Sequence, residues 1–356
     1  MTKDTRKQPR ISMGLDLGDR LSYVVAVSRG GEIELEDRIR TTRKALREYF
    51  LELDKKTRIV CEAGTHSPWV SALLEELGFE VIVANPSQAG RALAANGKKN
   101  DRLDALTLAT LGLDSVRLLR PIQHRSQEAQ NHLALIRARS CAVRMRSQAI
   151  NSVRGLVKSS GERLPSCSSS SFHRKVPEGV PAELQDAVLP LIEHIGKLTS
   201  LIRAYDKKIE EYCDKYPETR RLRAIGGVGP LVALAFLLTI DDPKRFRRSR
   251  AVGPYLGLVP RQHESGERSP QLRITRAGNS YLRQLLVSSA HYILGPFGDD
   301  CELRLFGQRV GCRGGPKGKK RAVTAVARKL AVVMHRLLVT DEPYHPFYSS
   351  KRRQSA

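Results

Sequence analysis

The chain has 356 residues, which is enough for two domains and a substantial core. Lys and Arg outnumber Asp and Glu by 61 to 37, and the net charge of +24 favours a polyanionic partner, nucleic acid above all. The charge is uneven, because residues 121–175 carry ten basic and two acidic side chains. No apolar run is long enough for a membrane-spanning helix, and residues 1–10 contain no secretory signal. Composition therefore predicts a cytoplasmic protein that works on nucleic acid.

The cysteines are scattered along the chain. None forms a C-x-x-C pair, and none has a histidine at zinc-finger spacing. This pattern predicts reduced thiols rather than disulfides or a zinc site. The six are Cys61, Cys141, Cys167, Cys213, Cys301 and Cys312.

Residues 1–115 are predicted to form an α/β domain. Three β-rich runs come first on short turns, and strands then alternate with amphipathic helices. That order indicates a mixed sheet with helices. The predicted elements are strands at 11–18, 21–28 and 32–42, a helix at 44–53, a strand at 58–61, a helix at 67–78, a strand at 80–84 and a helix beginning at about residue 101.

Four acidic residues lie near the edge of the predicted sheet where the strands end, which is where ligands bind in sheets of this kind. Asp16 lies on the first strand near its end, Glu62 closes the fourth, and Asp101 and Asp104 lie three residues apart in the first turn of the last helix. Each has an ordinary explanation by itself, as a turn residue, a solvated strand end or an acidic helix start. Together, in this order of elements, they predict hard oxygen ligands for one or two Mg²⁺ ions.

Other side chains near these acids are less specific. His66 follows Glu62 closely and is interpreted as a neighbour of the site rather than a ligand, while Ser67 could line it. Without a metal, the repulsion between the paired carboxylates would have to be offset by basic side chains. The nearest are Lys98, Lys99 and Arg102.

Residues 116–218 are predicted to contain two long helices. The first, at 127–158, is rich in arginine, which suits a phosphate backbone and equally a solvated face. Residues 159–181 are rich in serine and proline, which indicates a mobile loop or linker. An apolar heptad seam at 188–212, regular after Pro190, then predicts a coiled coil. Its partner is either the first helix or a second protomer.

Residues 219–345 are predicted to form a mainly helical domain, followed by a basic tail at 346–356. The turn containing Gly227 and Gly229 leads into an apolar helix and resembles a helix-hairpin-helix DNA-binding motif, although an ordinary tight turn explains it equally. The basic segment that follows suits a clamp on a nucleic-acid backbone. Its candidate contacts are Arg245, Arg247 and Arg248.

Ser265 precedes a glycine in an arginine-rich loop of this last domain. A hydroxyl beside guanidinium groups has the parts for attack on a phosphodiester, although the spacing by itself describes only a polar loop. Ser269 is the nearest competing hydroxyl. The candidate nucleic-acid contacts around it are Arg261, Arg273 and Arg276.

Two sets of motifs resemble the DEDD transposases of bacterial insertion sequences, a RuvC-like branch of the ribonuclease H fold. The first set is Gly-Leu-Asp-Leu-Gly at 14–18, Cys-Glu-Ala-Gly-Thr-His at 61–66 and Lys-Asn-Asp-Arg-Leu-Asp-Ala at 99–105. The second is the Pro-Arg-Gln…Ser-Gly…Gly-Asn…Leu-Arg pattern at 260–283. The resemblance spans nearly the whole chain and is weakest at 159–181.

This resemblance implies a recombinase that cuts and rejoins donor and target DNA. It implies a Mg²⁺ site at the four acids, a transient phosphoserine link that carries over to Ser265, and guidance by a structured bridge RNA. It also implies a homo-oligomer, a dimer or tetramer, supported by the coiled coil. Such a protein would act in the bacterial cytoplasm, on the nucleoid when active.

Two other functions fit the same residues. A structure-specific nuclease of the Holliday-junction type would use a metal-activated water and no serine. A catalytically inactive nucleic-acid-binding protein on the same fold would need neither centre.

Overall fold

The computed structural model describes residues 9–86, 90, 100–262, 272–313 and 315–348. The chain divides between His124 and Arg125 into two compact units, called unit 1 and unit 2. Unit 1 is α/β and unit 2 is helical, which confirms the predicted fold class. All six cysteines are free thiols. Among the described helices, none is both long and apolar enough to cross a bilayer.

Unit 1 is built on a five-stranded mixed sheet in the order β3-β2-β1-β4-β5. The first three strands pair antiparallel, whereas β4 pairs parallel with both β1 and β5. The central strand β1 is buried along most of its length, because helices cover both of its faces. The strands are β1 (Ile11–Asp16), β2 (Leu21–Ser28), β3 (Ile33–Arg40), β4 (Arg58–Glu62) and β5 (Glu80–Ala84).

Helices pack on the two faces of this sheet. On one face, the buried side chains of α1 and α2, such as Phe50 and Leu73, form a core with Leu15 and Ile59. On the other face, α3 packs its small residues against β1 and β2. The helices of unit 1 are α1 (Arg43–Leu51), α2 (Ser67–Glu76), α3 (Asp101–Asp114) and α4 (Val116–Leu119).

A buried arginine at the start of β4 ties the sheet to α3. The side chain of Arg58 is 8% exposed and donates to both carboxylate oxygens of Glu80 at 3.1 and 3.2 Å. It also donates to the carbonyl oxygen of Gly112, near the end of α3, at 2.6 Å. Because a buried charge is costly without partners, this network stabilises the position of α3 on the sheet.

Unit 2 begins with two long helices, α5 (Gln127–Ser159) and α7 (Gln185–Lys215), that pack against each other. Their buried residues meet in reverse order, with Ile136 near Ile209 at one end and Val153 near Ile192 at the other. The pair is therefore antiparallel. Of the two partners that the sequence allowed for the heptad seam, the helix of the same chain packs against it.

Helix α7 begins at Gln185 and contains Pro190 in its second turn. The segment predicted as a mobile loop or linker, residues 159–181, is partly packed against α5 and α7. Residues 159–181 contain the helix α6 (Phe172–Lys175), and the fully buried Phe172 packs in a core with residues of α5 and α7. The apolar residues of this segment are spaced too irregularly among serines to be recognised from the sequence as part of a core.

The rest of unit 2 is a helical layer around one large core. The apolar helix predicted after the turn with Gly227 and Gly229 is present at Pro230–Ile240. The helices are α8 (Glu218–Arg223), α9 (Pro230–Ile240), α10 (Val252–Tyr255), α11 (Ser280–Leu294), α12 (Glu302–Arg313) and α13 (Gly318–Thr340), with 3₁₀ turns at Pro177–Gly179, Ala182–Leu184, Pro243–Arg245, Ser249–Ala251 and Gly315–Lys317.

Candidate active site

Asp16 and Glu62 end two neighbouring parallel strands at the same edge of the sheet. Leu15 pairs with Cys61, and each acid follows its strand's member of that pair by one residue. Since side chains alternate along a strand, both acids share the face of Gly14, which is the face that α3 covers. Both side chains are partly buried. The local fold thus sets these carboxylates side by side.

Two glycines bring α3 unusually close to β1 and fix its direction. A Cβ atom on Gly14 would lie 1.8 Å from the carbonyl oxygen of Ala105, and one on Gly112 would lie 2.3 Å from the Oγ of Ser12. The later part of α3 therefore lies over the beginning of β1, and the beginning of α3 lies toward Asp16. The sequence carried a signal for this, because a glycine inside a helix costs stability unless packing requires it.

Asp101 and Asp104 stand in the first turn of α3, which is the end nearest to Asp16. Asn100 caps the helix, as its Oδ1 accepts a hydrogen bond from the N–H of Arg102 at 3.0 Å. Asp101 is exposed and Asp104 is partly buried. All four predicted acids therefore lie at one end of the unit, between the sheet edge and the helix start.

The donor set suits Mg²⁺. Carboxylate oxygens are its usual protein ligands, and Mg²⁺ commonly takes only one or two of them, with water and substrate phosphate completing the shell. Among the described residues, no group of three or more acidic, histidine or cysteine side chains is close enough to hold a metal by itself. A site formed by the neighbouring pair Asp16 and Glu62, and completed by substrate, is compatible with that spacing.

Arg102, one of the three basic side chains predicted to offset the repulsion between the acids, pairs instead with Glu36. The Nε of Arg102 donates to both carboxylate oxygens of Glu36, on β3, at 2.8 Å. Glu36 also accepts a hydrogen bond from the hydroxyl of Tyr23 at 2.6 Å. The hydrogen bond from Arg102 is the main reason that the pKa of Glu36 is lowered. Lys98 and Lys99 lie outside the described residues.

The residues after Glu62 shape the loop. Ser67 is fully buried, and its Oγ accepts from the N–H of Gly64 at 2.9 Å and lies 3.0 Å from the Nε2 of His124. His66 accepts at Nδ1 from the indole of Trp69, and its Nε2 lies 3.6 Å from a carboxylate oxygen of Asp19. These contacts give both residues a role in positioning the loop.

Ser265, together with its competitor Ser269, lies outside the described residues, but the two ends of its loop are described. The N–H of Arg261 donates to the carbonyl oxygen of Arg273 at 2.9 Å, and the N–H of Thr275 donates to that of Val259 at 2.9 Å. Residues 259–261 and 273–275 thus form a short antiparallel stem. The exposed side chains of Arg261 and Arg273 stand where the stem ends.

Next to the stem, the segment before residue 259 and the segment after residue 275 come into backbone contact at two glycines. Gly257 and Gly278 both have positive φ, and a Cβ on Gly278 would lie 2.1 Å from the carbonyl oxygen of Tyr255. Arg276 also adopts a positive φ of 59° and has an exposed side chain. Since only glycine fits so close a backbone approach easily, Gly257 and Gly278 allow the two segments to touch at the base of the stem.

The remaining nucleic-acid candidates differ in exposure. Arg245 is partly buried, with its guanidinium 4.9 Å from the ring centres of both Phe246 and Tyr255, whereas Arg247 and Arg248 are exposed. The stacked position gives Arg245 a packing role in addition to its charge.

The predicted hairpin connects α8 and α9. Gly227 has a φ of 83°, and a Cβ there would lie 2.9 Å from the ring of Tyr292, so the turn requires glycine. Gly229 is the residue before α9. The helix-turn-helix connection is present, with a first helix of only six residues.

Two family models match parts of this chain. The family model for DEDD transposases, described as "Transposase", matches residues 13–161, and the model described as "Transposase IS116/IS110/IS902 family" matches residues 219–295. The chain belongs to the DEDD transposases of insertion sequences. Its enzyme class is that of a DNA transposase, as the sequence predicted. The first range contains the four acids, and the second contains the position of Ser265 and all of α11.

Relatives cover most of the chain. The transposase for insertion sequence element IS1111A of Coxiella burnetii is 24% identical over 93% of this chain and 90% of its own length. A probable family 20 transposase of Pseudomonas aeruginosa is 27% identical over 79% of this chain and 83% of its own. The structure of RuvC from Thermus thermophilus aligns with 28% of this chain and 90% of its own at 15% identity, with a TM-score of 0.23.

Proposed function

We propose that this transposase cuts and rejoins DNA through two centres, a Mg²⁺ site at Asp16, Glu62, Asp101 and Asp104 and a nucleophilic hydroxyl at Ser265. The observation that carries the proposal is the placement of all four acids at one end of unit 1. Neighbouring strand ends supply one pair, and the first turn of α3, drawn onto β1 by Gly14, supplies the other.

The two pairs of acids, completed by substrate phosphate and water, would hold one or two Mg²⁺ ions, which would lower the charge on a phosphodiester and stabilise its attacking and leaving oxygens. Asp16 and Glu62 are supported by the sheet and Asp101 and Asp104 by a capped helix, so each pair is held on a rigid element. A strand-end pair would keep its geometry while substrate binds.

In the serine step, the Oγ of Ser265 forms a bond to phosphorus and one deoxyribose oxygen leaves. The hydroxyl proton departs, and the leaving oxygen takes up a proton. One phosphodiester is exchanged for another, so rejoining needs no external source of energy: the reverse attack by a deoxyribose hydroxyl releases the serine. Arg261 and Arg273, exposed at the end of the stem, would stabilise charge on the phosphate.

The proposed partners rest on the resemblance to the DEDD transposases. We propose that donor and target DNA are bound by the basic surfaces of unit 2, where Arg247, Arg248 and Arg276 are exposed. A structured bridge RNA would choose the sites, and a homo-oligomer, a dimer or tetramer, would bring two DNA segments together. Sequencing the RNA that copurifies with the protein tests the guide directly.

Covalent trapping tests the chemistry. The protein is incubated with labelled DNA carrying the insertion-sequence end and with Mg²⁺, denatured, and examined for a protein–DNA adduct. We expect an adduct that Ser265→Ala abolishes and that the matched control Ser269→Ala retains. We also expect Asp104→Asn to bind DNA normally while forming no adduct.

The alternatives give different results. DNA cleavage without any adduct would favour a nuclease that uses a metal-activated water. An adduct that persists in Ser265→Ala and disappears in Ser269→Ala would move the nucleophile to Ser269. A biological effect that survives Asp104→Asn would favour an inactive nucleic-acid-binding protein.

A further inference from the structure

A polar groove of about 620 Å³ lies in unit 2, outside the acidic centre. It is lined by one face of α5, the end of α9 and the start of α11. Three arginines line it, Arg125, Arg137 and Arg144, and the described lining contains no acidic side chain. A concave surface with charge of one sign concentrates the field and favours a polyanion.

The arginines of α5 fall into two groups. Arg137 and Arg144 lie on the same face of the helix as Ser140, are exposed, and have no hydrogen-bond or ion-pair partner in the part of the chain that the structure describes. The others are used within the protein, so only these two remain available to a ligand. The side chain of Arg139 pairs with Asp206, and that of Arg146 donates to the hydroxyl of Thr199. The side chain of Arg154 donates to the carbonyl oxygens of Leu164 and Pro165.

Arg125, the third arginine that lines the groove, is hydrogen-bonded to other lining residues. The Nε of Arg125 donates to the carbonyl oxygen of Thr239 at 3.0 Å, and its Nη2 donates to the hydroxyl of Tyr255 at 3.3 Å. Gly278 and Asn279 also line the groove and follow the stem of the serine loop within a few residues. The groove therefore leads to the base of the loop that carries Ser265.

We infer that this groove binds a single strand of DNA next to the phosphodiester that Ser265 attacks. Arginines interleaved with aromatic rings, here Tyr255 and Tyr281, are typical of surfaces that hold one strand by its backbone and bases. The volume is that of a small-molecule site, which suits a short stretch of one strand rather than a double helix. Arg137 and Arg144 would each contact a phosphate.

This inference rests on the proposed function for the identity of the attacked phosphate, but binding can be measured without chemistry. In the Ser265→Ala protein, affinity for a short fluorescent oligodeoxythymidylate is measured over a range of salt concentrations. Each phosphate contact on a single strand contributes about 0.7 to the slope of log K against log salt. We expect Arg137→Gln/Arg144→Gln to reduce the slope by about 1.4 and to weaken binding on the order of tenfold at low salt.

The matched control is Lys207→Gln/Lys208→Gln, which removes the same charge from exposed positions of α7. It should change the slope by much less, and both variants should melt at the wild-type temperature because the four side chains are exposed. An unchanged slope of log K against log salt in the arginine variant, or an equal change in the control, would refute DNA binding in this groove. Equal losses on a DNA duplex, or a loss confined to oligouridylate, would overturn the assignment to single-stranded DNA.

The two proposals fail separately. If wild-type protein forms no covalent adduct but the arginine-dependent slope is present, the serine mechanism is wrong and the groove stands. If the adduct forms and the slope is unchanged, the groove is wrong and the serine mechanism stands.

Discussion

Replacing Gly14 with alanine should damage the acidic centre without touching an acid. The added Cβ would lie 1.8 Å from the carbonyl oxygen of Ala105 and 2.7 Å from the N of Ala109. An ordinary carbon–oxygen contact is about 3.3 Å, so α3 must move by roughly 1.5 Å. Both atoms belong to the backbone, and no side-chain rotation can relieve the contact. The first turn of α3, with Asp101 and Asp104, must therefore shift relative to Asp16.

The magnitudes follow from that shift. Overpacking of a core costs about 1–3 kcal/mol of unfolding free energy, and a misplacement of about 1 Å in a catalytic site costs roughly 100-fold in rate. We expect Gly14→Ala to fold with reduced stability, to bind DNA as the wild type does and to cleave about 100-fold more slowly. Urea denaturation, a DNA-binding titration and the covalent-adduct assay measure the three quantities.

Two other glycines serve as controls. Gly30→Ala adds a Cβ whose nearest neighbour is the Oγ of Ser28 at 3.8 Å, and it should leave all three quantities unchanged. Gly112→Ala crowds the Oγ of Ser12 at the other end of α3, eight residues or about 12 Å from Asp104, and should reduce stability more than cleavage. A folded Gly14→Ala protein that cleaves at the wild-type rate would refute the idea that α3 positions the acids.

Three further substitutions test the packing. Glu80→Leu leaves the guanidinium of Arg58 buried without its counter-charge and should cost about 3 kcal/mol of unfolding free energy in a urea titration; a loss below about 1 kcal/mol would mean that the pair behaves as an exposed one. Burial lowers the pKa of His335 below its usual value of about 6.5, so the neutral imidazole contributes its full stabilisation above that pH and loses it as the pH falls further. His335→Gln should remove this pH dependence of the unfolding free energy, and identical pH profiles for wild type and variant would contradict the idea that His335 causes it. Phe172→Ala should cost about 3–5 kcal/mol, which a truly mobile linker would not show.

The sheet and its acids could be predicted because their signals are local. Period-two apolar runs marked the strands, and the acid pair at 101 and 104 stood at the head of a period-3.6 pattern. The sequence also placed Asp16 and Glu62 at strand ends, and the register of β1 with β4 makes them neighbours. The order of elements was sufficient because parallel strands end at a common edge.

The packing in unit 2 could not be predicted in the same way, since it depends on contacts distant in sequence. Phe172 lies among serines, and its burial arises only when α5 and α7 pair. The role of Arg245 likewise depends on Tyr255, ten residues later, whose ring lies 4.9 Å from its guanidinium. Composition described both segments correctly as polar or basic, and in each case tertiary contacts decided which side chains were available to a partner.

The arginines of α5 show the same principle at a functional surface. Seen as a sequence, Arg137, Arg139, Arg144 and Arg146 are equivalent members of one basic helix. In the fold, Arg139 and Arg146 are bonded to α7, whereas Arg137 and Arg144 face a groove that leads to the stem of the serine loop. The count of 61 basic residues therefore overstates the surface offered to DNA, because some of these side chains are bonded within the protein. The nucleic-acid contacts of this transposase should be sought among exposed arginines without partners, and Arg137 and Arg144 meet that condition within the described ranges.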